Sequence, residues 1–139
     1  MACQGDRLIL LCTVLLCLPV KGTHAEAMGV CLEIGQAAEV SGEPPDLLIS
    51  LAYVASRLDR NAVSKCGAIG PLQVIPRFWP GDPVEAGIKA WKYWIGRAKS
   101  VRDGIARYNA GKRAGPRAYR HADRVIKLAE KIRGWVGGY

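Results

Sequence analysis

The chain has 139 residues, enough for one domain with a buried core and too short for two. Lys and Arg number 20 against 12 Asp and Glu, a net charge of +8. That surplus suits a polyanionic partner, either nucleic acid or the acidic polymers of a cell wall, although a solvated positive helix face with no partner carries the same signature.

The first segment has its own pattern. Arg7 precedes an apolar run from Leu8 to Val20, and a small-residue site follows at Ala25-Glu26-Ala27. This is the layout of a secretory signal peptide, with cleavage expected after Ala27. The competing reading, a retained anchor, meets a length problem: the 13 residues of the run fall short of the roughly 20 that a spanning helix needs. A lipoprotein signal is opposed by Val14-Leu15-Leu16 before Cys17, which lack the small side chains of that processing. The expected organisation is a signal peptide over residues 1–27 and one domain over 28–139, exported to the periplasm or cell envelope. Arg7, Lys21, Asp6 and Glu26 leave together, so the domain keeps its +8. Cys3, Cys12 and Cys17 would leave too, so Cys31 and Cys66 are the one pair available for a disulfide in an oxidising compartment. Closing that loop would stabilise the fold by roughly 3–4 kcal/mol on chain-entropy grounds. Two buried free thiols are the alternative.

Along the expected domain the pattern is helical, with no repeat and no low-complexity linker. Val30, Ile34, Ala37 and Ala38 recur at helical spacing. Ser41 to Pro45 breaks the chain, and Pro45 suits the first position of a second helix. That helix, from Asp46 to about Ser56, is almost wholly apolar and is expected to be the buried central one. Residues 59–81, rich in Gly, Pro and Asn, predict a long functional loop with a turn of strand around Leu72 to Ile75. Asp82-Pro83-Val84-Glu85 is a helix start, and Val84, Ile88, Trp91 and Ile95 form its apolar stripe. Ser100 caps a shorter helix ending at Gly111. Pro116 opens the last one, with Tyr119, Ala122, Ile126, Ala129 and Ile132 facing inward and Gly134 closing it. The fold class expected is all-α, about five helices around a buried central one with at most a small strand element.

Two motifs go further. Residues 55–73 read A-S-R-L-D-R-N-A-V-S-K-C-G-A-I-G-P-L-Q, and residues 108–111 read Y-N-A-G. Together they resemble the signatures of the soluble lytic transglycosylases, a family with a goose-type-lysozyme-like fold that cuts peptidoglycan. The resemblance covers about residues 45–130. Ser56, Asn61 to Ser64, Gly67, Ala68, Gly70 and Gln73 fall in register. The position of the family's catalytic Glu is Ala55. By resemblance, Ser56, Ser64, Gln73, Asn109 and Tyr119 would contact substrate, and Gly67, Ala68 and Gly70 would let the backbone pass close to the glycan. Tyr108 would lie near the acid position and help set it. The chain departs from the family at Pro71-Leu72, which replaces Leu-Met and stiffens the motif, and in the short connector from Pro76 to Asp82.

Glycosidic cleavage needs a proton on the leaving oxygen and support for an oxocarbenium-like sugar. In this family one Glu serves as acid and then base, the sugar's 2-acetamido group assists, and the muramic 6-hydroxyl closes a 1,6-anhydro ring. Ala55 has no proton to give. Asp59, Glu33, Glu39, Glu43 and Glu85 are the nearby carboxylates, each expected to be a capping or surface residue. General acid catalysis contributes roughly 10²–10⁴-fold and demands hydrogen-bond reach, so the chain as it stands is expected to be inactive or crippled. Three readings stay open: a transglycosylase with an introduced Glu→Ala change; a natural pseudoenzyme that binds glycan strands beside an envelope-spanning secretion, conjugation or phage-entry apparatus; and a basic nucleic-acid module over Arg97 to Arg133. Export and the glycan signature oppose the third. The expected partner is peptidoglycan, without nucleic acid, the expected state a monomer, and no cofactor or metal is expected. His121 is the one histidine in the expected domain and, standing alone on a helix, is expected at the surface.

Overall fold

Local chemistry sets most of the helix ends. In the computed structural model, which describes residues 4–137 except the side chain of Gln4, the Thr23 hydroxyl accepts from the Glu26 amide at 3.1 Å and starts α2 (His24–Val40). Asp82 accepts from the amides of Val84 and Glu85, both at 3.1 Å, and Pro83 opens α4 (Pro83–Arg97). Ser100 accepts from the Asp103 amide at 3.0 Å at the start of α5 (Val101–Ala110). Each such cap contributes about 1 kcal/mol. Pro45 and Pro116 open α3 (Pro45–Ser56) and α6 (Pro116–Val136) without a side-chain cap. With α1 (Gln4–Leu15) and a 3-10 turn over Gly111–Arg113, these are the helices of the described residues. The all-α expectation holds, and the five helices expected are α2 to α6. The long loop carries two isolated antiparallel bridges, Val63 with Ile69 and Ile69 with Val74.

The second of the expected helices is central. In α3, Leu48, Ile49, Ser50, Leu51 and Ala52 are all buried, and the helix packs on α1, α2 and α6. It ends on two left-handed residues, Arg57 (φ 54°) and Leu58 (φ 62°). That conformation costs a side chain about 1–2 kcal/mol. Leu58 is 1% exposed, and burying a Leu returns about 1.5–3 kcal/mol, so packing wins at the second position. The inner face of α6 is Ala118, His121, Ala122, Val125, Ala129, Ile132 and Val136. Tyr119 and Ile126 lie on its half-buried shoulder, and the helix runs past Gly134.

The largest departure lies at the beginning. α1 buries Leu8, Leu11, Cys12 and Leu15 against α2, α3 and α6. Gly35 on α2 makes the seat: a Cβ there would stand 2.2 Å from Leu8 Cδ1. Cys12 is bonded to Cys31, with Cα atoms 5.9 Å apart. The expected Cys31–Cys66 bridge is therefore corrected. Cys31 lies on the buried face of α2 that α1 covers, whereas Cys66 is a free, exposed thiol in the loop. Cys12, which the expected leader contains, is the cysteine that Cys31 meets. The expected division after Ala27 falls inside α2, where Ala27 is fully buried; Cys3 lies outside the described residues. No helix of the described residues is long and apolar enough to cross a membrane.

Candidate glycan-binding cleft

The loop after α3 is folded by its own backbone. The Ser64 amide donates to the Ala68 carbonyl at 2.9 Å, and the Ala68 amide returns to the Ser64 hydroxyl at 3.0 Å. Ile69 and Val74 exchange both backbone bonds at 2.8 and 3.1 Å, and the Gly70 amide donates to Ala62 at 2.9 Å. Positive φ is required at Gly67 (84°), Gly70 (77°) and Gln73 (52°). At Gly70 the missing side chain also serves packing, because a Cβ would meet Pro83 Cβ at 2.9 Å. Gly70 is buried against the start of α4.

This loop forms one side of a cleft of about 970 Å³, at the upper end of small-ligand sites. α3 contributes Leu51, Val54 and Ala55, and the loop contributes Ser64, Cys66, Ala68, Leu72, Gln73, Val74 and Ile75. From α5 and the turn after it come Arg107 and residues 108–111, and from α6 comes His121. The short connector and α4 add Phe78, Trp79, Ala90, Tyr93 and Trp94.

Of the residues expected at the site, Ala55, Ser64, Ala68, Gln73, Tyr108 and Asn109 line this cleft together. The side-chain nitrogen of Gln73 donates to the carbonyls of Gly70 (2.9 Å) and Ala62 (3.3 Å), which leaves its oxygen as the acceptor without a partner among the described residues. Tyr108 donates its hydroxyl to the Leu72 carbonyl at 2.5 Å. Burial pushes that hydroxyl's pKa well up, so it remains a donor. Its ring lines the cleft while its proton holds the loop, a positioning role for Leu72.

Ser56, Gly67 and Tyr119 do not line the cleft. The Ser56 hydroxyl stands 2.8 Å from the Pro71 carbonyl and 3.0 Å from the Ala52 carbonyl, pinning the loop to the end of α3. Gly67 is exposed at a turn. Tyr119 donates its hydroxyl to Asp103. Three of the nearby carboxylates are committed elsewhere. Asp59 accepts from the Asn61 amide at 2.9 Å, Glu33 pairs with Arg60 at 3.0 Å, and Glu43 accepts from the Trp91 indole at 2.8 Å. Glu39 and Glu43 line a separate pocket beside α1, and Glu85 is exposed in the first turn of α4. No Asp or Glu lines the cleft among the described residues. Nor do the described residues hold a group of three metal-ligating side chains.

Two features escaped the sequence. His121 is not at the surface: it is 9% exposed and lines the cleft, and burial, then the nearby Arg124 charge, lowers its pKa. The second is an aromatic wall. Trp79 meets Tyr93 edge to face at 5.5 Å, Tyr93 meets Trp94 at 4.9 Å, and the Arg97 guanidinium lies 3.7 Å from the Tyr93 ring centre. The run Trp91-Lys92-Tyr93-Trp94 held the clue. A helix places one of three such close aromatics in the core, here Trp91 at 1% exposed, and must present the others elsewhere. Compared with known protein families, curated proteins and solved structures, the chain matches none.

Proposed function

We propose that the protein binds peptidoglycan glycan strands in this cleft and does not cut them, its lytic-transglycosylase-like and lysozyme-like site having an alanine in the place of the acid. The observation that carries the reading is the cleft's lining: the motif residues Ser64, Ala68, Gln73, Tyr108 and Asn109 converge around Ala55, and no carboxylate is among them. Proton delivery requires a donor within hydrogen-bond reach of the glycosidic oxygen. His121 is the imidazole among the described lining residues, and burial lowers its pKa, which favours the neutral ring. Binding is supported by a different set of groups. Aromatic faces at Phe78, Trp79, Tyr93 and Trp94 offer apolar surface to sugar rings, with a few polar groups to orient them. Export to the envelope, and service to a secretion, conjugation or phage-entry apparatus, belong to the same proposal.

The test is digestion of purified peptidoglycan by the protein beside its Ala55→Glu variant, with mass spectrometry of the products. Leu51, Val54 and Tyr108 would desolvate the introduced carboxyl and raise its pKa toward that of a working acid. Release of 1,6-anhydro-muramyl products by the variant alone, at least about 10²-fold above the unsubstituted chain, is the expected result. Cutting by the unsubstituted chain would sink the non-catalytic reading. Inertness of both, with neither sedimenting with the wall, would sink the glycan reading.

A further inference from the structure

We infer that the cleft carries an anion subsite in which Arg107 and His121 receive a carboxylate of the bound glycan, so that it selects carboxylate-bearing chains over neutral amino-sugar chains. This rests on the glycan-binding reading and names the chemistry it selects.

Arg107 is a held donor. Its Nε donates to Asp103 Oδ2 at 3.1 Å. Asp103 is 7% exposed and also receives the Tyr119 hydroxyl and, at 3.1 Å, the Lys99 amide. The Tyr119 hydrogen bond, then the Lys99 amide, hold the Asp103 carboxyl down to about 2, so the clamp stays ionised at every working pH. One edge of the guanidinium is thereby fixed. Its terminal nitrogens have no acceptor among the described residues, although Arg107 lines the cleft. A planar donor fixed at one edge is suited to a carboxylate at the other.

His121 is the independent observation. Nine-tenths of it is buried, it lines the cleft from α6, and it has no hydrogen-bond partner among the described residues. The Ser50 hydroxyl is the one sealed, unpartnered side-chain polar atom among the described residues, so the His121 nitrogens are not sealed off and a ligand acceptor in the cleft can reach them. The charged and titratable groups that share the cleft with it are Arg107 and Tyr108 from α5, Tyr93 from α4 and Cys66 from the loop. α3 presents Leu51, Val54 and Ala55 there, and α1 lines none of it. From α6 itself, Arg124 is the charge that reaches the ring. Among the described residues no Asp or Glu lines the cleft, and the ionised Asp103 is engaged by Arg107. A bound carboxylate would bring the first negative charge, so the ring takes a proton from solvent on binding and affinity rises as pH falls through the histidine range. The carboxylate has two sources in peptidoglycan, the lactyl group of muramic acid or the acids of the stem peptide.

Isothermal titration of the full chain decides it, with three soluble ligands: a glycan strand stripped of peptide, a peptide-bearing strand of the same length, and a neutral N-acetylglucosamine oligomer. We expect at least one carboxylate-bearing strand to bind about tenfold tighter than the neutral oligomer at a pH of about 6, with a smaller gap at about 8. Whichever strand gains more identifies the sugar or the peptide as the source. Titration in two buffers of different ionisation heat reads proton uptake, which His121→Gln should abolish. Arg107→Gln should erase the preference, bringing the affinities of the three ligands together. Should either variant fail to fold, imidazole NMR of the unsubstituted protein reads the same event as an upward shift of the His121 titration on binding. Equal affinity for all three ligands, or unchanged His121 titration on binding, overturns the subsite and leaves glycan binding standing. Failure of all three to bind overturns the underlying reading.

Discussion

Breaking the bridge between Cys12 and Cys31 should cost the fold about 3 kcal/mol. The two residues are separated by 19 positions, and closing a loop of that size removes about 11 cal/mol/K of chain entropy from the unfolded state, which is about 3 kcal/mol at room temperature. With a urea slope of about 2 kcal/mol/M, the midpoint should fall by about 1.5 M on reduction. The assay is urea unfolding of the full-length chain with and without reductant, beside Cys12→Ala and Cys66→Ala. The reductant effect should vanish in Cys12→Ala and survive in Cys66→Ala, and a non-reducing peptide map should join the Cys12 and Cys31 peptides. The opposite pattern, with Cys66 joined to Cys31, would refute the packing of α1 onto α2. Processing after Ala27 would remove Cys12 along with α1, so the N-terminal sequence of exported protein bears on the same point.

Three further outcomes are expected. Asp103 has its pKa lowered to about 2 from an unfolded value of about 3.9, so its contribution is present above a pH of about 4 and lost as pH falls toward about 2. Asp103→Asn should therefore be less stable than the parent at neutral pH, with the gap narrowing through that window in acid unfolding followed by circular dichroism. The Ser50 hydroxyl is buried in α3 without a partner among the described residues, so Ser50→Ala should be neutral or stabilising by up to about 1 kcal/mol in thermal unfolding; a loss above about 1 kcal/mol would mean the hydroxyl is bonded. A Cβ at Gly87 would stand 2.7 Å from Leu72 Cβ, so Gly87→Ala should cost about 1–3 kcal/mol and loosen the Tyr108 bond to Leu72, read as faster amide exchange across the loop.

How far the sequence could be read depended on the range of the interaction. The Asp82 and Ser100 caps, the openings at Pro45 and Pro116 and the central place of α3 were legible because each is set within a few residues. The loop motif was legible as spacing, and Ser64, Ala68 and Gln73 do come together with Ala55 and Tyr108. Ser56 and Tyr119 lie off the cleft because the direction of a hydroxyl depends on a neighbour distant in sequence, Pro71 in one case and Asp103 in the other. His121 was misplaced for the same reason, since a lone histidine carries no period of its own and its burial depends on how α6 lies against α3 and α5.

By itself, the sequence determined an all-helical chain, several of its helix starts and a Gly-rich loop following Ala55. These follow from periodicity, caps and local backbone needs, all of which act over a turn or two. Only the tertiary structure decided which cysteine pairs with Cys31, that α1 packs on α2, α3 and α6, and that among the described residues Arg107, His121 and an aromatic wall line the cleft and no Asp or Glu does. Those outcomes depend on which helix faces meet, and a meeting of surfaces distant along the chain leaves little trace in residue spacing.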